Sequence, residues 1–274
     1  MQNSPESSSQ TSLSRRKKWV AVSIAGLLIM SLTSVAIVKS AVENREPPIV
    51  VVRVDDIQDF AFQEAQFFLF NESAANRVPL SLAVITGMFG EDKEIVQTVK
   101  FALSFGSEVA VHGWEHEDLA KLSLSEQVAL LSQSKSRIKE ILGSDVRVLV
   151  PPMFSFNEDT IAAMQAAGYD LISTITDYTE PGSMSEVINI PATVELSDYS
   201  NGTWKMKSFD SVKAEISRSI QKYGFGVIVT HPQEFTTDGK LNQVNMELYR
   251  ALLRTLKENY SFKTLQTLGE NWSQ

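Results

Sequence analysis

The chain has 274 residues, 43% of them hydrophobic and 21% charged, with a net charge of −8 and no cysteine. That is globular usage; it excludes disulfides and thiolate metal sites and leaves His, Asp and Glu as the metal ligands to look for. Only three histidines are present, so the position of each is informative.

Residues 1–18 read as a disordered cytoplasmic tail, rich in Ser and Gln and ending in the basic cluster Arg15, Arg16, Lys17 and Lys18. Trp19 to Val38 then runs for twenty residues without a charge. At about 1.5 Å per residue, a helix of that length crosses the roughly 30 Å hydrocarbon core of a bilayer. Because the basic cluster precedes the span, the expectation is a single-pass membrane protein with its N-terminus in the cytoplasm and its main domain extracytoplasmic. A secretory signal cleaved after Ala36 is the alternative.

Residues 39–48 form a polar linker that ends at Pro47 and Pro48. Residues 1–48 carry six Lys or Arg and three Asp or Glu, so the rest of the chain holds an acidic excess of 11. An acidic domain of this kind excludes nucleic acid as a partner. Asn71, Asn201, Asn259 and Asn271 begin glycosylation sequons usable outside the cell, although such triplets arise often by chance.

The domain expected over 49–274 opens on Ile49 to Val54, an apolar β-branched run that suits a fully buried parallel strand. Helix is predicted over Phe60 to Ala75, strand over Pro79 to Ile85, helix over Glu91 to Leu103 and a short strand over Glu108 to Val111. Ser123 opens the next helix with Glu126 as its capping-box partner, and Gly143 closes it. Val146 to Val150 is a strand, Asn157 caps a helix that ends at Gly168, and Asp170 to Ile175 is a strand. A less regular stretch includes Val187 to Ile190. Helix over Asp210 to Tyr223, strand over Phe225 to Thr230, helix over Leu241 to Glu258 and a short strand over Phe262 to Leu265 complete the domain. This alternation predicts an α/β fold, a distorted (β/α) barrel of seven or eight strands. An open doubly wound sheet shares the same periodicity.

The chemistry-bearing residues fall just past predicted strand ends, the face where parallel α/β folds build their sites. Asp55 and Asp56 follow the first strand, His112 and His116 the third, Pro151 to Phe154 the fourth, and His231 the strand Phe225 to Thr230. His112-Gly-Trp-Glu-His116 has the i, i+4 spacing that sets two imidazoles on one side of a helical turn, suited to one metal ion. Each feature alone has a plain structural reading: a helix-capping Asp pair, a chance His pair, a turn His before Pro232. Their joint placement on one face favours a site.

The motif order also resembles the polysaccharide deacetylase (NodB-homology) family. Arg53-Val54-Asp55-Asp56-Ile57 is similar to its T-F-D-D-G motif, His112-Gly-Trp-Glu-His116 to H-S/T-x-x-H, and Ile228-Val229-Thr230-His231 to L-x-x-H, in the right order over roughly residues 49–265. The resemblance implies a distorted barrel and a metal-dependent hydrolase that removes acetyl groups from N-acetylated (or O-acetylated) glycans; with the expected membrane anchor, the substrates are envelope glycans. It implies Asp56, His112 and His116 as ligands of one divalent metal, zinc first, with cobalt, nickel or iron suited to the same donors. Asp55 is then the general base and His231 the general acid. Pro152, Phe154 and Trp114 are expected to bind substrate or support the oxyanion, with backbone N–H groups near Phe154 helping.

Three departures stand out. Ile57 replaces Gly, Gly113 replaces Ser or Thr, and the Arg of the third motif, R-x-P-Y, is absent although Pro152 and Phe154 remain. Arg147 lies five residues before Pro152, about 17 Å down an extended strand, and so belongs to the other end of the barrel. Arg53, two residues before Asp55 and on the same strand face, is the expected substitute. Asp59, Glu115, Glu117 and Glu234 are weaker candidates as partners of the histidines. A carbohydrate-binding pseudoenzyme of the same fold is the alternative function, and hydrolysis of a non-sugar amide or ester is a third reading.

Overall fold

In the computed structural model of the chain, residues 46–272 are described. The expected tail (1–18), transmembrane helix (19–38) and most of the linker (39–48) lie outside them. Among the described residues, no helix is long and apolar enough to cross a membrane.

Strand and helix alternate through β1 (Ile49–Ile57), α1 (Gln63–Asn76), β2 (Leu80–Val84), α2 (Lys93–Ser104), β3 (Glu108–Val111), α3 (Leu124–Leu142), β4 (Val148–Leu149), α4 (Glu158–Ala167) and β5 (Leu171–Ile172). Short strands follow: β6 (Gly182–Met184), β7 (Val187–Asn189), β8 (Val194–Glu195), β9 (Ser197–Ser200) and β10 (Thr203–Met206). The chain ends with α5 (Phe209–Tyr223), β11 (Phe225–Thr230), β12 (Thr236–Thr237), β13 (Lys240–Leu241), α6 (Gln243–Lys257), β14 (Ser261–Lys263) and α7 (Leu265–Trp272). The capping box of Ser123 and Glu126 forms as expected, Gly143 ends α3 in the left-handed region, and Asn157 caps α4.

One sheet organises these elements in the order β6-β7-β5-β4-β3-β2-β1-β11-β8, with β14 beside β1 as well. Every pair in it is parallel except β6 with β7. The extended run through β7 and β8 draws the sheet's two ends together. It pairs with β5 at Ile188, bridges Ile175 at Ala192 and meets β11 at Val194. The expected α/β class holds in a curled, mostly parallel sheet, but among the described residues the sheet has ten strands rather than the expected seven or eight, because the irregular stretch after β5 supplies the short β6, β7 and β8.

The register of β1 decides what lies on each side of that sheet. Val50, Val52 and Val54 join the large core shared with the helices, whereas Val51 joins a second apolar cluster with Ala83, Val150, Val227 and Val229 inside the curl. Leu265 and Leu268 of α7 complete the inner cluster. Burying a Val or Leu side chain stabilises the fold by roughly 1.5–3 kcal/mol, so both layers add to stability. Arg53 and Asp55 share the inward face with Val51 because side chains alternate along a strand. They are the charged exception in an otherwise apolar interior.

Some boundaries differ from expectation for identifiable reasons. Helix α1 starts at Gln63 rather than Phe60, since Phe60 and Phe62 both take left-handed φ values, 56° and 49°. Leu265, expected at the end of a last strand, opens α7 instead. There the half-buried Glu108 carboxylate accepts from the Ser81 hydroxyl at 2.7 Å and from Gln266 N–H at 3.1 Å. A carboxylate at a helix N-terminus satisfies donors the helix cannot. Arg147 pairs with Asp170, in a hollow shared with Gln266 and Glu270 rather than with the residues past the strand ends.

Candidate metal centre and catalytic cavity

β1 does not end as a regular strand. Its register against β2 shifts between Val54 and Ile57, and Asp56 sits in the left-handed region at φ 62°. Regular alternation would send adjacent Asp side chains to opposite faces. The bulge overrides it, and both Asp55 and Asp56 line one cavity of about 340 Å³. Ile57, where the family pattern has Gly, is buried and paired with Val84.

The two histidines after β3 come together by a different route from the expected helical turn. Residues 112–118 form a loop in which Gly113 and His116 both take positive φ, 75° and 65°. The loop closes until the imidazole centroids of His112 and His116 are 5.0 Å apart. A Cβ on Gly113 would lie 2.5 Å from Glu117 Oε2 and 3.0 Å from Pro152 Cγ. Ser or Thr does not fit there, and the Glu117 carboxylate fills the space. It accepts from Trp114 N–H at 2.8 Å and Glu115 N–H at 3.1 Å, locking the turn between the histidines.

Asp56 Oδ1 lies 3.2 Å from His112 Nε2 and 3.3 Å from His116 Nε2. Of the described residues, these three form a group whose ligand atoms converge closely enough to hold one metal ion. The donor set fits a cation. His112 Nδ1 is 2.8 Å from the Val150 carbonyl and must donate to it, which leaves the Nε2 lone pair of the neutral ring pointing at Asp56. Asp56 Oδ1 is buried and has no hydrogen-bond partner, so lone pairs face one another unless positive charge lies between them. Burial alone would raise the Asp56 carboxyl, but the two histidines outweigh it and hold it far below the usual carboxylate range. Gln233 fixes the other oxygen, donating to Asp56 Oδ2 at 2.6 Å.

Arg53 is fully buried and meets Asp55 through two parallel hydrogen bonds, Nε to Oδ1 at 2.9 Å and Nη2 to Oδ2 at 2.8 Å. Its Nη1 donates to the Ser173 carbonyl, the Ser173 hydroxyl and the Thr174 carbonyl at 2.9–3.1 Å. The guanidinium also lies 5.4 Å from the centre of the Phe154 ring. Replacing such a buried pair by apolar residues is often neutral or even stabilising, so stability alone is a weak reason for its presence. What the pair does is hold the Asp55 carboxylate in one orientation at the cavity floor.

His231, at the end of β11, faces the same cavity. Its Nδ1 is 3.1 Å from Glu234 Oε1, and Thr230 Oγ1 donates to Glu234 Oε2 at 2.6 Å. Burial by itself would lower the His231 imidazolium, but Glu234, Asp55 and Asp56 outweigh it and raise it above the ordinary histidine value. Trp204 packs on the ring at 4.5 Å between centroids, and Tyr199 packs on Trp204 at 4.7 Å. Both aromatics line the cavity and come from the β9–β10 hairpin, which the sequence reading passed over. The signal was there in Asn201-Gly202, a dipeptide suited to a two-residue hairpin turn, and both residues take positive φ.

The expected substrate residues separate. Phe154 lines the cavity with Pro151 and Met153, whereas Pro152 is buried and Trp114 is not among the lining residues. The Trp114 ring instead packs on Gly87, where a Cβ would lie 2.7 Å from Nε1. The Phe154 N–H, expected near an oxyanion, already donates to the Pro151 carbonyl at 3.1 Å. Among the weaker candidates, Asp59 accepts from the backbone of Glu91 and Asp92, and Glu115 is exposed.

Fold and site together define an α/β protein with a two-histidine, one-carboxylate centre at the strand ends of a curled parallel sheet. Residues 43–172 match the family model for polysaccharide deacetylase. Solved structures with the same fold include the Xyl-CE4 domain of a multidomain xylanase from the hindgut metagenome of Trinervitermes trinervoides. It is 16% identical, with 84% of this chain and 92% of that one covered and a TM-score of 0.56. A family 4 acetyl xylan esterase from Clostridium thermocellum, in complex with a cobalt ion, is 14% identical, with coverage of 80% and 89% and a TM-score of 0.56. A CE4 family pseudoenzyme from Bacillus anthracis is 18% identical, with coverage of 81% and 65% and a TM-score of 0.54. At these identities the likeness establishes the fold alone. No curated protein matches the chain.

Proposed function

We propose that the chain is a metal-dependent deacetylase of N-acetylated or O-acetylated envelope glycans, anchored in the membrane by residues 19–38 with its catalytic domain outside. The observation that carries the reading is the convergence of Asp56, His112 and His116 beside an Asp55 that Arg53 holds in place. A divalent metal held by those three residues, zinc first, supplies Lewis acidity toward the acetyl carbonyl and makes water a usable nucleophile near neutral pH. Asp55 takes the proton from the attacking water, and Arg53 keeps its carboxylate aimed. His231 gives a proton to the departing amine nitrogen as the C–N bond breaks, so acetate and a free amine leave. Tyr199, Trp204 and Phe154 offer apolar and aromatic surface to a sugar ring.

Two relatives of this fold, one esterase and one pseudoenzyme, frame the alternative of a binding protein without turnover. The missing third-motif arginine is the feature that favours it, and the Arg53–Asp55 contact removes that support. The test is acetate release by the full chain from N-acetylglucosamine oligomers and from acetylated xylan oligomers. Release from either, lost with a chelator and restored by added zinc or cobalt, is the expected result. Absence of release from both, with metal bound, would favour the binding protein.

The pH profile gives a second check. His231 must be protonated to act as the acid, so its raised value keeps activity present to higher pH than an ordinary histidine allows. Glu234→Gln removes a carboxylate that raises it, and the alkaline limb of kcat then moves to lower pH. An unmoved limb would remove His231 from the proton transfer.

A further inference from the structure

Glu195 stands in the wall of the catalytic cavity, in β8 opposite Val229. Its carboxylate makes no hydrogen bond and no ion pair among the described residues. The nearby cation Lys207 is engaged by Glu215 at 3.1 Å and Asp198 at 3.8 Å. Burial pushes the Glu195 carboxyl up, outweighing the opposing charges of Lys207 and His231, neither of which pairs with it directly. No Lys or Arg lines the cavity among the described residues, whereas Asp55, Asp56 and Glu195 all do. Asp55 is neutralised by Arg53, and Asp56 is turned toward the histidines. Of the three carboxylates, Glu195 alone has no direct hydrogen-bond or ion-pair partner among the described residues.

A partly buried, unpaired carboxylate is costly, and a cationic ligand group offsets that cost. Tyr199, 62% exposed, lines the same cavity, and aromatic faces attract cations. We propose that Glu195 and Tyr199 form a receptor for an ammonium group, so that the preferred substrate is an amino-sugar chain already carrying free amines beside its N-acetyl groups. The proposal rests on the deacetylase reading above and names its substrate class. Each turnover would make another amine of the kind this receptor takes, so a partly processed chain binds better than an untouched one.

Two ligands without acetyl groups test the receptor apart from catalysis: a glucosamine oligomer and a cello-oligomer of equal length, which differ in ammonium against hydroxyl. Their Kd values are measured by calorimetry on the metal-loaded full chain below about pH 6.5, where sugar amines carry their proton. The expected result is about ten-fold tighter binding of the glucosamine oligomer, a preference that shrinks with added salt. Glu195→Gln, close in shape, should erase the preference and leave the cello-oligomer Kd within about two-fold. Equal affinity in the unmodified chain, binding of neither oligomer, or a Glu195→Gln effect equal on both would overturn the receptor. Acetate release is read separately, so an inactive chain that keeps the ammonium preference fails the deacetylase reading and leaves this inference standing.

Discussion

Asp55→Asn lowers acetate release by about 10²–10⁴-fold, the range for loss of a positioned general base, while bound metal stays at the unmodified level. The two halves of that result separate the neighbouring carboxylates. Asp55 stays on the inward face of β1 with Arg53, whereas the bulge turns Asp56 toward His112 and His116. Asn keeps one acceptor for Arg53 and offers nothing basic to water. Rate and metal content are measured on the same preparation. Activity that survives would remove Asp55 from the proton transfer, and metal loss with activity would mean the two carboxylates share the ion.

Arg53→Met produces the largest stability effect. It leaves the Asp55 carboxylate buried without its partner, a loss that typically costs about 3–5 kcal/mol. In a domain of this size, each 1 kcal/mol moves Tm by about 2–4 °C, so a fall on the order of 10 °C is expected. Activity should fall with it, because an unpaired Asp55 is free to rotate away from the attacking water. Lysine should not rescue either property, since an ammonium does not reproduce the paired Nε and Nη2 contacts. The Arg53→Met, Asp55→Asn double variant should be less destabilised than the sum of the singles, as residues in direct contact are coupled. Intact activity and unchanged Tm in Arg53→Met would make the pair incidental.

Much of this could be read from the residues. β3 and β11 have the predicted bounds because Glu108–Val111 and Phe225–Thr230 are short apolar runs closed by clear breakers. The inward pairing of Arg53 with Asp55 follows from period-two alternation. Alternation does not extend to Asp56, because a register shift and one left-handed residue set it beside Asp55 rather than opposite it. The spacing of His112 and His116 suggested a helical turn, but Gly113 and the Glu117 carboxylate make a tighter loop that serves the same end. The β9–β10 hairpin escaped notice because its polar, exposed strands carry no apolar run, only the Asn201-Gly202 turn. With it went Trp204, whose contact with His231 depends on a fold-level approach that spacing does not reveal. Trp114 illustrates the reverse error: it sits inside a motif yet packs on Gly87.

The most direct measurement is elemental analysis of the purified full chain beside His116→Ala. His116 is the more accessible of the two histidines and its removal disturbs the core least. One divalent metal per unmodified chain and a large loss of it in the variant are expected. A chain that holds no metal, or a variant that holds it as tightly, would contradict the centre at Asp56, His112 and His116 and with it the deacetylase mechanism.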